Sequence, residues 1–479
     1  MRLVVIGGVA AGTKAASRAR RVNPDLEIIV YQEEPEISQS ECGLPYLLSG
    51  VVDNRDDLIA RTPEEFAEKD VEVLTRHRVE KIDPDNKKLT VKNLTSDEEY
   101  EDYYDRLIVA TGAKAIRPSI EGVDLDGVFT LRFLTDSDRI LSFVEEHSPK
   151  KAVVVGGNYI GLEVAENLTE FGIEVSLLEA EEQVAVTSGP EVAEKVEEHL
   201  EEKGVAAFTG ALVKALVGND EGRVRAVRAM YSGEDEEMEA DLVILGAGIR
   251  PEVPDIALAE VRPEVPEISL AEAAGAEIGP TGAIQVDKYL KTNLQDVWAA
   301  GDCVESVNLV TGAAIWVPLG DTANQMGRVA GTNAASGENI LEFPGVLNTG
   351  VFKVFDLGVA KTGLSEAEAQ EAGFEVVTAT VESKNRAGYF PGGQPTLIKL
   401  TADRATGRLI GAEVVGGSAD KYVDICATAI WGKLSYPDLV NLDLAYAPPF
   451  GPTLSPVIAA ASVLAGEFEK KTEGVRAAE

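Results

Sequence analysis

Cysteine is scarce in this chain: three in 479 residues, at positions 42, 303 and 426, with no Cys-x-x-Cys pair and no other close spacing. That excludes a disulfide framework and a cysteine-based metal site, and it suits a reducing cytoplasm. Basic residues are in deficit too, since 44 Lys plus Arg face 81 Asp plus Glu and leave a net charge of -37. Such a surface repels nucleic acid and anionic membranes, so neither is an expected partner. It fits adaptation to high salt, where counter-ions screen the self-repulsion, and an anionic ligand then needs a locally basic pocket. Long hydrophobic runs are missing as well; VIAAASVLAG near the C-terminus, among the longest, is too short to span a bilayer. The chain opens on LVVIGG and not on a basic region with a cleavage site, so a soluble cytoplasmic protein is expected.

What is present is globular in character. With 45% hydrophobic residues, 479 residues exceed what one core accommodates, and two or three domains are expected. Two strand-turn-helix units begin at Arg2 and Ala152. LVVIGGVAAG leads into TKAASRARRV and a second strand EIIVYQEE, while AVVVGGNYIGLEVAENLTEFG leads to EVSLLEAEE. A strand, a glycine turn, a helix and a second strand ending in acidic residues is the build of a dinucleotide site, so two nucleotides are implied. Val9 and Asn158 replace the middle glycine of a strict G-x-G-x-x-G. Gly7, Gly8 and Gly12, then Gly156, Gly157 and Gly161, still permit a tight turn and leave helix N-termini for pyrophosphates.

The residue closing each second strand meets the adenosine ribose. Glu179 fills that place in the second unit, and a carboxylate there disfavours a 2'-phosphate, so NADH is preferred over NADPH. In the first unit the place falls on Gln32 or on its neighbour Glu33. Residues 250–273 read RPEVPDIALAEV then RPEVPEISLAEA, two consecutive near-copies expected to act only as a longer loop at a domain edge. After about residue 335 the pattern turns strand-rich and then helical, an α+β domain with a face for self-association.

Cys42 stands in SQSECGLPY between the two nucleotide signatures. Gly43, Leu44 and Pro45 suit a tight helix start, and the helix dipole is expected to push the thiol toward thiolate. A lone reactive thiol must pair with something diffusible. Lys14, Arg18 and Arg21 share one face of the first helix at spacings of four and three, a candidate site for phosphates.

Together with ATGA (Ala110–Ala113), LGAGIRP (Leu245–Pro251), WAAGDC (Trp298–Cys303) and PLGDTANQMGR (Pro318–Arg328), these residues resemble the single-cysteine branch of the FAD-dependent pyridine nucleotide-disulfide oxidoreductases, with coenzyme A disulfide reductase nearest. The resemblance covers essentially the whole chain. It implies two Rossmann-like domains plus a C-terminal dimerisation domain: FAD binding by 1–113 and 275–335, NAD binding by 114–274, dimerisation by 336–479. FAD contacts would come from the first turn, Gln32 or Glu33, Cys42, Ala110, Thr111, Gly112, Arg132, Gly301, Asp302, Leu319, Gly320 and Ala323. NADH would meet the second turn, Ile160, Glu179, Gly246 and Gly248, with Tyr159 covering the flavin until nicotinamide displaces it and Glu163 holding the carboxamide.

Within the branch, oxidases and peroxidases carry a histidine where this chain has Ala10, which disfavours peroxide chemistry. Coenzyme A disulfide reductases share two tyrosines supplied by the partner of a homodimer, matched by Tyr389 in GYFPG and Tyr446 in AYAPPF. Coenzyme A would lie near Lys14, Arg18, Arg21, Ser38 and Asn324. Three positions depart: Glu41 stands for Asn, Asn324 for His and Leu454 for Lys. The implied reaction is NADH-dependent reduction of coenzyme A disulfide through Cys42, with Cys303 and Cys426 as packing residues. The alternatives are an NADH oxidase cycling a sulfenic acid, a coenzyme A persulfide or polysulfide reductase, and a non-enzymatic redox sensor. No sulfur-transfer domain is recognisable after Pro448-Pro449.

Overall fold

The computed structural model describes residues 1–246 and 264–476. Two five-stranded sheets share one design. The first runs Val297–Ala299, Arg106–Val109, Arg2–Ile6, Glu27–Tyr31, Val71–Leu74, with every neighbour parallel. The second runs Ala206–Phe208, Glu174–Leu178, Lys151–Val155, Leu242–Leu245, Val128–Phe129, again all parallel. Their central strands read LVVI and AVVV without alternation because both faces are covered, and Leu3, Val4, Val5, Val153 and Val154 are fully buried. Each unit also carries a three-stranded antiparallel sheet, at His77–Asp83, Lys88–Asn93 and Glu99–Tyr103, and at Leu212–Gly218, Val224–Tyr231 and Glu234–Glu239.

The helix Gly320–Ser336 lies against the first-turn helix Ala10–Val22 almost backbone to backbone. A Cβ on Gly327 or Gly331 would fall 2.3 Å from the carbonyl oxygen of Ala11 or Ala15. Only glycine fits there, and the contact fastens the segment after Asp302 onto the first unit.

The C-terminal sheet is antiparallel, in the order Gly350–Val354, Leu357–Gly363, Leu409–Gly416, Pro395–Asp403, Val376–Lys384. One face, with Ile398, Leu400, Ala412 and Val414, packs on the helices Ala419–Trp431 and Pro456–Arg476. The other, with Val359, Leu397 and Val415, joins the core of the middle domain, including Leu162, Val192 and Val196. No helix among the described residues is long and apolar enough to cross a membrane.

The tandem repeat requires a correction. Its first copy, with Gly248 just before it, lies outside the described residues. The second is more than a loop: Glu264–Pro266 pairs antiparallel with Ala113–Ala115, and Ser269–Ala273 forms a short helix. The strand after the ATGA crossover offers a free edge, and the repeat supplies the backbone partners that edge needs.

Candidate active site

At the first turn the backbone passes through Gly7 at φ +103°, and a Cβ there would sit 2.0 Å from the Ala110 oxygen. Gly8 N–H donates to Gln32 Oε1 at 2.7 Å, with Gln32 buried. The second turn repeats this with Gly156 at φ +109° and Gly157 N–H donating to Glu179 Oε2 at 2.6 Å. Gln32 is therefore the counterpart of Glu179. Glu33 faces away, paired with Arg78 at 2.5 Å on the surface. Both follow the end of the strand Glu27–Tyr31, where the chain buries Gln32 against the turn and leaves Glu33 exposed, which sequence alone left open.

The two helix starts differ. Asn158 caps the second helix, accepting from Gly161 N–H at 3.3 Å, while Val9 gives the first no side-chain cap. The first-turn N–H groups there remain available to a pyrophosphate. Burial pushes the Glu179 carboxyl up, and N–H groups of Glu181 and Gly157 oppose it. Both cradles fit dinucleotides.

At the crossover, Ala110 N–H donates to the Ile6 oxygen at 2.7 Å. Thr111 Oγ1 donates to the Glu267 oxygen at 2.6 Å, and Gly112 adopts φ +74°. Asp302 follows Gly301 at φ +87° and pairs with Arg132 at 3.1 Å. Arg132 also meets Glu41 at 3.2 Å. Burial raises Asp302 against the pull of Arg132. Trp316, which the motif reading missed, donates its indole N–H to the Asp302 backbone oxygen at 2.6 Å. Leu319 begins the helix Gly320–Ser336, on which Ala323 is buried and Asn324 exposed.

Cys42 occupies a single 3-10 turn, Glu41–Gly43, ahead of the short helix Leu44–Leu48 with Pro45 in its first turn. It is solvent-accessible, whereas Cys303 and Cys426 are buried, with thiols pushed up to about 11 and about 12. The expected depression of the Cys42 thiol is not found. Desolvation by neighbouring protein raises it, followed by the charges of Glu163 and Glu41, with Arg132 opposing. A five-residue helix carries little macrodipole against two carboxylates.

Glu163 acts on Cys42 electrostatically from the second-turn helix Tyr159–Glu170. Burial pushes its carboxyl up to about 7, against a hydrogen bond from Tyr46 at 3.0 Å. Tyr46 also escaped the sequence reading, although its place four residues after Cys42 was the available signal. Ile160 is partly buried beside Tyr159, whose ring lies 4.6 Å from that of Phe352 and whose hydroxyl meets Thr187 Oγ1 at 3.0 Å. Gly246 accepts from Asn158 Nδ2 at 3.0 Å.

The basic face is partly committed. Arg18 donates to Thr332 Oγ1 at 2.9 Å and Arg21 to the Ser17 oxygen at 3.1 Å; Lys14 is partly buried. Ser38, at φ +52°, donates its N–H to the Gly8 oxygen at 2.8 Å. Tyr389 and Tyr446 are exposed and hydrogen-bonded to one another, which raises Tyr389; Thr453 and then Tyr389 lower Tyr446. Among the described residues no group of three His, Cys, Asp or Glu is placed to hold a metal.

Two dinucleotide cradles of one design, with an accessible thiol between a carboxyl of the second unit and an aspartate of the first, define a two-nucleotide oxidoreductase. The chain belongs to the pyridine nucleotide-disulphide oxidoreductase family, whose pattern matches residues 1–315, with the family's dimerisation domain at 350–457. Its cofactors are FAD and NAD(H). It is similar to a Methanocaldococcus jannaschii NADH oxidase, 36% identical over 96% of this chain and 98% of the relative. A Staphylococcus haemolyticus coenzyme A disulfide reductase is 31% identical over 94% of this chain and 96% of that one. Among solved structures, a NAD-dependent persulfide reductase from A. fulgidus is 40% identical with a TM-score of 0.89, covering 99% of this chain and 84% of that one.

Proposed function

We propose that this protein is an NADH-dependent flavoprotein that reduces coenzyme A disulfide, or a related low-molecular-weight disulfide or persulfide, through Cys42. The observation that carries the reading is the single accessible thiol, under the electrostatic influence of charges from both nucleotide units. FAD would lie along the first turn, Gln32, Thr111, Gly112 and Asp302, in a domain of residues 1–113 and 275–335. NADH would lie along the second turn and Glu179 within 114–274. Bound FAD supplies the two-electron relay between nicotinamide and sulfur.

The sulfur steps belong to the chain. Cys42 thiolate attacks one sulfur of the disulfide, forming a Cys42–coenzyme A mixed disulfide and releasing coenzyme A thiolate, which takes up a proton. Two electrons and a proton then return Cys42 to thiolate and release the second coenzyme A thiol. Per turnover one NADH and one proton are consumed, giving NAD⁺ and two thiols. Tyr389 and Tyr446, carried on the dimerisation domain at 336–479, would reach the site across a homodimer and stabilise the leaving thiolate. Lys14, Arg18, Arg21, Ser38 and Asn324 would line the coenzyme A path. A cytoplasmic location accords with three unpaired cysteines.

The M. jannaschii relative supports a second reading, NADH oxidation with Cys42 passing through a sulfenic acid; Ala10 in place of a histidine weighs against it. Cys42→Ser decides the thiol's role. Disulfide-dependent NADH consumption is expected to vanish while FAD stays bound; unchanged turnover overturns the proposal.

A further inference from the structure

Three buried charges lie side by side on the face of the C-terminal sheet that meets the middle domain. The strand register pairs Lys361 with Glu413 and Glu413 with Lys399, so the row reads Lys-Glu-Lys across adjacent strands. These residues are only 3%, 1% and 3% exposed. Charges so placed persist only when partners satisfy them, and here the partners are Thr187, Gly189 and Glu191 of the middle domain together with Glu366 and Glu368 of the C-terminal domain. Gly189 N–H donates to Glu413 Oε1 at 2.5 Å. Lys361 Nζ donates to the Thr187 backbone oxygen and to Glu368 Oε2, each at 2.6 Å. Lys399 Nζ meets Glu191 and Glu366 at 2.9 Å.

Thr187 and Gly189 belong to the loop joining the strand that ends before Glu179 to the helix Pro190–Glu202. The same loop touches the second glycine turn, where Ala185 N–H donates to the Gly157 oxygen at 2.7 Å. Its Thr187 hydroxyl holds the Tyr159 hydroxyl at 3.0 Å. One loop thus links the buried charge row, the nucleotide turn and the aromatic ring at the head of the second-turn helix.

We propose that Lys361 and Glu413 are positioning residues for Tyr159: by gripping the backbone at Thr187 and Gly189, they hold Tyr159 in its closed position, and nicotinamide must displace it against that grip. The inference rests on the reading of Tyr159 as the residue nicotinamide displaces. The C-terminal domain therefore sets nicotinamide affinity from outside the nucleotide site.

The test is calorimetric binding of a redox-inert tetrahydro analogue of NADH to full-length, FAD-loaded enzyme. Tyr159→Phe removes the hydroxyl link and is expected to tighten binding about threefold, the worth of a modest hydrogen bond. Lys361→Met is expected to tighten binding by a similar factor in the native background and to do nothing in the Tyr159→Phe background; Lys361→Arg keeps a donor and stays near wild type. Where Lys361→Met does not give folded holoenzyme, Glu413→Met is read the same way, because it removes the acceptor that holds Gly189 N–H. If Tyr159→Phe tightens binding but the second substitution acts equally in both backgrounds, or in neither, the positioning role falls while the reading of Tyr159 stands. If Tyr159→Phe itself leaves affinity unchanged, that reading falls and the positioning role with it.

Discussion

Replacing Glu163 by glutamine is expected to lower the pKa of the Cys42 thiol. Desolvation is the largest influence holding that thiol up, and Glu163 is the largest charge doing so, ahead of Glu41. Glu41 is already compensated by Arg132 at 3.2 Å, whereas the partner of Glu163 at 3.0 Å is the neutral phenol of Tyr46. A like charge at close range moves a pKa by about one to three units, each worth about 1.4 kcal/mol. The lower end, about one unit, applies because Cys42 is open to screening water. Glutamine keeps an oxygen acceptor for Tyr46, so the change isolates the charge. Because the Glu163 carboxyl is pushed up to about 7, it is neutral below that pH and both proteins should behave alike there. Above it the wild-type carboxylate keeps the thiol protonated, and the variant should react up to roughly tenfold faster until both thiols are fully ionised. The assay is the rate of iodoacetamide alkylation at Cys42 against pH, read by peptide mass. Coincident curves above neutrality, or a slower variant, would refute the electrostatic account.

Two further outcomes follow from the cradles. Gly7→Ala places a Cβ 2.0 Å from the Ala110 oxygen at a φ of +103°; with roughly 2 kcal/mol or more of strain and overlap, FAD retention after gel filtration should fall at least about thirtyfold in affinity, and full retention would contradict the turn geometry. Glu179→Ala removes an acceptor bonded at 2.6 Å and 2.8 Å by two N–H groups. Because that carboxylate would accept from the ribose hydroxyls and oppose a 2'-phosphate, losing one charged hydrogen bond of about 1.5 kcal/mol or more should reduce the NADH over NADPH ratio of kcat/KM at least about tenfold; an unchanged ratio would remove Glu179 from cofactor choice.

The glycine turns were legible because a tight turn into a helix leaves few residue choices, and their duplication on one chain made each support the other. The thiol was legible as the lone cysteine between them. Its electrostatics were not, since the burial and the Glu163 charge that outweigh the local helix come from distant segments, with Arg132 only partly opposing them. Gln32 and Glu33 looked interchangeable until the chain leaving the strand Glu27–Tyr31 buried one and exposed the other. Lys361, Lys399 and Glu413 carried no signal because their strands are buried on both faces, and a charge there reads as an exception until the facing loop is known. The second copy of the repeat looked like loop because its pairing edge, Ala113–Ala115, lies about 150 residues away in sequence.

The most direct test of the central claim is the intact mass of the folded, FAD-loaded protein after incubation with excess coenzyme A disulfide, before and after anaerobic NADH, with peptide mapping of the three cysteines. One coenzyme A per chain is expected on Cys42 alone, lost on addition of one equivalent of NADH. An unmodified Cys42, or an adduct on Cys42 that NADH does not remove, would contradict it.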